Sequence, residues 1–199
     1  MNGWLELMLT AAFVGGLTGG VHCAAMCGGI ASMVCAPRPG TAFDWRLALA
    51  YNGGRILSYA AAGALAGAVG QAGLLLRGGP LLQQSLMLVA AVALLVLALG
   101  MAGVVPVVRA LEAAGSVAWR RIQPHARRFL PADTAPRALA LGAAWGWLPC
   151  GMVYAALLVA FATADAVEGA LVMLAFGAGT LPNLLGIAAV AGHLKKGLS

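Results

Sequence analysis

The chain reads as an all-α polytopic membrane protein built on an internal duplication, and three observations predict this. Apolar residues make up 62% of its 199 positions against 9% charged, with a mean hydropathy of +0.92, far outside the range of soluble globular domains. The apolar residues gather in five stretches of membrane-spanning length. Two short cysteine motifs recur at corresponding places in the two halves, His22-Cys23-Ala24-Ala25-Met26-Cys27-Gly28-Gly29 and Trp147-Leu148-Pro149-Cys150-Gly151-Met152.

The expected spans run from about Trp4 to Met33, Leu47 to Gly70, Leu81 to Val105, Ala138 to Ala162 and Val167 to Gly192. No hydrophilic stretch is long enough for a soluble domain, so residues 1–199 are expected to form one transmembrane domain. The first span is not read as a cleavable signal peptide: it lacks a basic leader, carries Glu6 and holds the first motif inside its own apolar run. Glycines are dense in these spans, as in Gly15-Gly16, Gly19-Gly20 and Gly63 to Gly67. In lipid, where burial of bulk gives no drive, small residues let helix backbones approach closely.

Orientation follows from Lys and Arg. Arg109, Arg120, Arg121, Arg127, Arg128 and Arg137 crowd the connection after the third span, and Lys195 and Lys196 lie in the tail. The connection after the fourth span carries Asp165 and Glu168 without a basic residue. These charges predict the N-terminus outside and the first connection, third connection and tail inside. The net charge of +6 is explained by this bias and calls for no nucleic-acid partner. Membrane lipid is the expected partner, and the segment from Ser116 to Arg128 has the composition of a helix that can lie on anionic lipid.

The duplication is visible in two offsets. Met26-Cys27-Gly28 matches Pro149-Cys150-Gly151 at an offset of 123, and Tyr51-Asn52-Gly53-Gly54-Arg55-Ile56 answers Phe176-Gly177-Ala178-Gly179-Thr180-Leu181 at 125. Three spans per unit is an odd number, so the second copy enters the membrane inverted relative to the first, a 3+3 architecture. Repeat 1 covers about residues 1–107 and repeat 2 about 136–199. The chain ends after the counterpart of the second span, so the sixth span of such a fold has no counterpart here. Inverted repeats place their working residues near the midplane, where broken helices line a cavity, and there Cys27 and Cys150 would meet.

Taken together, the first-span motif, Asn52-x-Gly54-Arg55 with Ser58-Tyr59, Trp147-Leu148-Pro149-Cys150-Gly151, and Phe176-Gly177 with Gly179-Thr180-Leu181-Pro182-Asn183 resemble the transmembrane region shared by the cytochrome c biogenesis protein CcdA and the central domain of DsbD. The match is to a small branch with a His-Cys-x-x-Met-Cys-Gly-Gly signature, often labelled sulfite-exporter-like or UreH-like. The resemblance implies a reversible disulfide between Cys27 and Cys150. It would relay electrons from cytoplasmic thioredoxin to a thiol protein or metallochaperone outside, in the cytoplasmic membrane of a bacterium. Met26 stands where CcdA-type proteins have a proline, and Cys23 and His22 are additional.

The residues themselves allow two chemistries. A bond between Cys27 and Cys150 escapes the poor geometry of a disulfide within one helical turn, which Cys23 and Cys27 would face. Its exchange depends on thiolate fraction and access. Backbone donors freed by the break at Pro149 would favour the thiolate, while low-dielectric surroundings oppose it. The same sulfurs also suit Cu(I): Cys23 and Cys27 share a helix face, Met26 lies beside them, and His22 borders it as a gate or outer ligand. Cys35 reads as a small buried apolar residue.

Four further residues are expected to support the site. Arg55 lies inside an apolar span, a flag for function, though at about two turns from the span's start it is expected to snorkel to the interface. Asn52 and Asn183 stand at related repeat positions and either line a cavity or tie helices together. Pro182 interrupts the fifth span. The acids Glu6, Asp44, Glu112, Asp133, Asp165 and Glu168 all lie at or outside the membrane edges, so no hydrolase constellation emerges.

Overall fold

A computed structural model describes residues 3–20, 44–75, 132–147 and 150–197, with single positions between 84 and 96. Among these residues all regular structure is helical: α1 Gly3–Thr18, α2 Trp45–Leu75, α3 Ala135–Trp145, α4 Gly151–Ala162 and α5 Ala166–Gly197. The first, second, fourth and fifth expected spans correspond to α1, α2, α3 with α4, and α5. Of the third span only scattered positions are described, and the first-span motif and most of the arginine-rich connection lie outside the described residues. Two stretches, Trp45–Gly73 and Ala166–Val190, are long and apolar enough to cross a membrane.

Local sequence explains the helix ends. Asp44 opens α2, its Oδ1 accepting from the backbone N–H groups of Arg46 at 2.9 Å and Leu47 at 3.3 Å. Pro136 sits in the first turn of α3, where its missing N–H costs nothing. The turn between α4 and α5 is tight. Ala164 adopts a left-handed φ of 51°, and Asp165 Oδ1 then caps α5 by accepting from Val167 N at 2.8 Å and Glu168 N at 2.9 Å.

Helices α2 and α5 form the central pair, with α3 packed on α2, α1 on α5, and α4 against both. The helices are apolar on their outer faces as well as in their cores, and the buried residues include polar ones: Leu57 and Leu65 on α2 are 59% and 61% exposed, whereas Arg55 on the same helix is 2% exposed. That distribution suits lipid as the surrounding solvent.

Reciprocal glycines set the helix contacts. A Cβ on Gly16 of α1 would meet the Phe176 carbonyl of α5, and one on Gly179 would meet the Phe13 carbonyl in return. Gly54 of α2 faces the Leu139 carbonyl of α3 while Gly142 faces that of Tyr51, and Gly63 and Gly169 face each other's carbonyls between α2 and α5.

These contacts reveal the symmetry. Adding 126 to the α1 numbers and subtracting 125 from those of α5 converts the α1–α5 interface into the α3–α2 interface. Gly179 against Phe13 and Leu17 becomes Gly54 against Leu139 and Ala143; Gly16 against Phe176 becomes Gly142 against Tyr51; Gly20 against Asn183 becomes Gly146 against Ser58. Even the interhelical hydrogen bonds correspond. Asn183 Nδ2 donates to the Leu17 carbonyl and Ser58 Oγ to the Ala143 carbonyl, both at 2.8 Å. Residue numbers rise together in these two interfaces, so each pair is parallel, but they run oppositely between α2 and α5. Hence α1 and α3 are antiparallel and the two units are inverted, as the paired motifs predict.

The symmetry corrects one expectation. Asn52 and Asn183 are not equivalent: the partner of Asn52 is Gly177, and that of Asn183 is Ser58. The offset of 125 that pairs Tyr51–Ile56 with Phe176–Leu181 is the one the packing keeps, and at that offset the two asparagines do not coincide.

Candidate functional site

The fourth span is broken where the second motif falls. Helix α3 stops at Trp145, with Gly146 N–H donating to the Gly142 carbonyl at 2.8 Å and Trp147 N–H to that of Ala144 at 3.3 Å. Cys150 is extended, at φ −131° and ψ 150°, and occupies the N-cap position of α4. Its carbonyl accepts the first bond of the new helix, from Tyr154 N–H at 3.1 Å. The first-turn N–H groups of α4 lie outside the helical ladder, so the partial positive end of the helix opens beside Cys150. Backbone of this kind is tolerated at membrane depth only where protein or a cavity surrounds it.

Protein does surround it. Cys150 is half-buried against a core of Tyr59 from α2, Val153, Ala156 and Ala160 from α4, and Val172, Met173 and Phe176 from α5, with Met8, Leu9 and Ala12 of α1 at its margin. Residues of four of the five helices therefore contribute to the cluster against which the thiol packs.

Helix α2 faces this break with a polar stripe at helical spacing, Asn52, Arg55, Ser58 and Tyr59, all buried. Asn52 Nδ2 returns to the Ala48 carbonyl of its own helix at 2.9 Å. Ser58 ties α2 to α3, as described. Arg55 Nη2 donates to the Tyr59 hydroxyl at 2.8 Å, and its guanidinium carbon stands 5.5 Å from the centre of the Tyr59 ring. That ring in turn contacts Phe176, with centroids 5.9 Å apart and planes inclined by 54°.

Arg55 does not snorkel. Its side chain is 2% exposed and turns inward along α2 to the Tyr59 hydroxyl rather than outward to the interface. Hydropathy places Arg55 on the helix but does not give the direction of a long side chain, so the expectation of an interfacial charge is overturned. Sequence reading also left Ser58 and Tyr59 out of the site, although Asn52, Arg55 and Tyr59 at i, i+3 and i+7 mark a single helix face.

The structure thus places Cys150 and Gly151 at the start of α4 and the Arg55 backbone against Gly146 at the end of α3, with Asn52 earlier on α2 and bonded to Ala48. Asn183 and Pro182 lie on α5, where Asn183 binds α1 and Pro182 is accommodated inside the helix. Cys27, Cys23, Met26, His22, Gly28 and Pro149 lie outside the described residues, and so does any ligand set they form. Among the described residues no group of three or more His, Cys, Asp or Glu could hold a metal ion.

A family model described as the cytochrome C biogenesis protein transmembrane region matches residues 11–199. The chain belongs to this family. It is therefore a membrane protein of the cytochrome c biogenesis and thiol-disulfide transfer class, embedded in lipid and served by redox partner proteins. No curated protein and no solved structure matches it. Within the cytochrome c biogenesis transmembrane family, the described chemistry centres on Cys150, the one thiol among the described residues.

Proposed function

We propose that the protein is a thiol-disulfide electron relay in which Cys27 and Cys150 form and break one disulfide across the repeat interface. The observation that carries this reading is the position of Cys150 at the break before α4, half-buried against a cluster to which four helices contribute. The inverted symmetry supports the pairing: Ser58 holds α3 at Ala143, in the span that leads to Cys150, and its counterpart Asn183 holds α1 at Leu17, in the span that leads to Cys27.

In the first half-reaction a thiolate of a reduced donor dithiol attacks the Cys27–Cys150 disulfide. A mixed disulfide forms and one cysteine leaves as a thiolate; the donor's second thiol then resolves the mixed bond. The donor becomes a disulfide, and the relay gains two electrons and two protons. The reduced pair repeats the exchange on an acceptor disulfide and returns to its oxidised form.

A cytoplasmic thioredoxin is the proposed donor, and an extracytoplasmic thiol protein or metallochaperone in cytochrome or metalloprotein maturation the acceptor. The setting is the bacterial cytoplasmic membrane, with the N-terminus outside and the C-terminus of this chain inside, as the arginine distribution favours.

Thiol trapping of the purified protein in detergent tests this. The expected result is a Cys27–Cys150 disulfide, assigned by mass, that reduced thioredoxin opens. Cu(I) bound in stoichiometric amount and shielding Cys23 and Cys27, with Cys27–Cys150 never oxidised, would replace the relay by metal handling through Cys23, Met26, Cys27 and His22.

A further inference from the structure

We propose that Arg55, held by Tyr59, is the fixed positive charge that stabilises the Cys150 sulfur whenever it is a thiolate. This deepens the relay reading and rests on it for its purpose, but the interaction it names can be measured in a protein that cannot relay.

A guanidinium buried inside a membrane domain is expensive even when it finds partners, and Arg55 is 2% exposed. The scaffold does not require a cation there. At the two-fold related position of α5 stands Thr180, whose hydroxyl simply donates to the Gly177 carbonyl of its own helix at 2.8 Å. Leu184 occupies the place equivalent to Tyr59, fully buried in the corresponding core. The second half thus builds the same helix contacts from a threonine and a leucine. The Arg55–Tyr59 pair is an addition to a frame that packs without it.

The addition lies on the side of the broken fourth span. The Arg55 carbonyl is 3.1 Å from where a Cβ on Gly146 would sit, four residues before Cys150. Three residues further along α2, Ser58 holds the end of α3. Tyr59, which receives the Arg55 hydrogen bond, belongs to the buried cluster on which Cys150 packs. The hydroxyl therefore holds the guanidinium beside Tyr59, whose side chain belongs to the cluster against which the thiol packs. The apolar walls of Val153, Val172 and Met173 keep the dielectric low, so the field of the charge carries across the site with little screening.

The relay makes use of this charge in both half-reactions. When a donor thiolate opens the disulfide at Cys27, Cys150 leaves with the electron pair of the broken S–S bond. When the reduced pair passes electrons to an acceptor disulfide, a cysteine thiolate attacks and the acceptor sulfur leaves. Cys150 takes up a proton in the resting dithiol and releases it on oxidation. A guanidinium, which stays protonated throughout, stabilises the anionic sulfur without entering the proton balance.

The test uses the full chain with Cys23, Cys27 and Cys35 changed to Ser, so that Cys150 reports alone. Iodoacetamide labelling of Cys150 and the ultraviolet absorbance of its thiolate are followed in Arg55→Met, Arg55→Lys and Tyr59→Phe. Arg55→Met is expected to slow labelling about tenfold and to lower the thiolate absorbance, a tenfold change corresponding to about 1.4 kcal/mol. Arg55→Lys is expected to recover most of the rate because the charge returns. Tyr59→Phe, which keeps the ring and loses the hydroxyl, is expected to fall between them, and it serves if Arg55→Met does not fold. Equal labelling of all forms in denaturant confirms that the difference belongs to the fold. Labelling of Tyr59→Phe and of any folded Arg55 variant within twofold of the parent overturns the proposal. Failure of Cys27–Cys150 trapping with slowed labelling removes the relay and leaves the Arg55–Cys150 interaction standing.

Discussion

Two adjacent glycines in α2 allow helix packing to be separated from helix propensity. A Cβ on Gly53 would meet nothing within 4 Å, whereas a Cβ on Gly54 would meet the Leu139 carbonyl, with Ala143 N at 2.8 Å and Leu139 C at 2.9 Å. All three are backbone atoms of α3 and cannot rotate aside, so Gly54→Ala must push α2 and α3 apart. Both substitutions gain the same propensity, up to about 1 kcal/mol, which cancels in their difference. What remains is an overpacking cost of about 1–3 kcal/mol. The Ser58–Ala143 bond at 2.8 Å spans the same gap, and its loss adds about 0.6 kcal/mol on the scale measured between membrane helices. Gly54→Ala is therefore expected to be less stable than Gly53→Ala by about 2–3 kcal/mol. Reversible unfolding in mixed micelles, followed by tryptophan fluorescence, reads this directly, since Trp145 is buried beside the contact. On α5 the same comparison is offered by Gly179, which faces Phe13, and Gly186, which faces open space. Equal stability of the Gly53 and Gly54 variants, within about 0.5 kcal/mol, would refute the close approach and the symmetry built on it.

Three further outcomes are expected. Ser58→Ala and Asn183→Ala each remove one interhelical hydrogen bond at 2.8 Å, at two-fold related places; each should cost about 0.6 kcal/mol in the same unfolding assay, and the double variant should show the sum. Ala164 has a left-handed φ of 51°, so Ala164→Gly should stabilise the chain by about 1 kcal/mol, read as a higher melting temperature in detergent. Asp165→Ala removes the acceptor of two N–H groups at the start of α5, and should lower stability by about 1 kcal/mol while leaving Cys150 labelling unchanged.

Much of this architecture was legible in the sequence because the bilayer imposes simple rules. Apolar length located the spans, and the recurrence of Cys-Gly motifs exposed the duplication. Pro149 beside Cys150 foretold the break between α3 and α4. What escaped was side-chain direction. Hydropathy places Arg55 on α2 but says nothing of where its long side chain goes, and the bond to the Tyr59 hydroxyl takes it inward. The register between α2 and α5 was legible as well: the offset of 125 that pairs Tyr51–Ile56 with Phe176–Leu181 is the one the packing keeps, and it sets Asn183 opposite Ser58, each reaching the carbonyl of a parallel neighbour across a glycine contact.

The two halves share backbone packing but not side-chain chemistry, and the difference falls on one helix. At the positions where α2 carries Asn52, Arg55 and Tyr59, α5 carries Gly177, Thr180 and Leu184. Strict symmetry would place each half of the domain in the same electrostatic setting. Concentrating a buried cation on α2 makes the surroundings of Cys150 differ from anything the second half can offer across the axis. A symmetric frame suits a domain that must present its centre to two sides of a membrane, since each half can make the motions of the other in reverse. An asymmetric lining suits exchange between unlike partners, because a thiolate stabilised at one sulfur biases which bond breaks. The pairing of Ser58 with Asn183 serves the frame, and the pairing of Arg55 with Tyr59 serves the lining; substitutions in the first should be read in stability, and those in the second in the reactivity of Cys150.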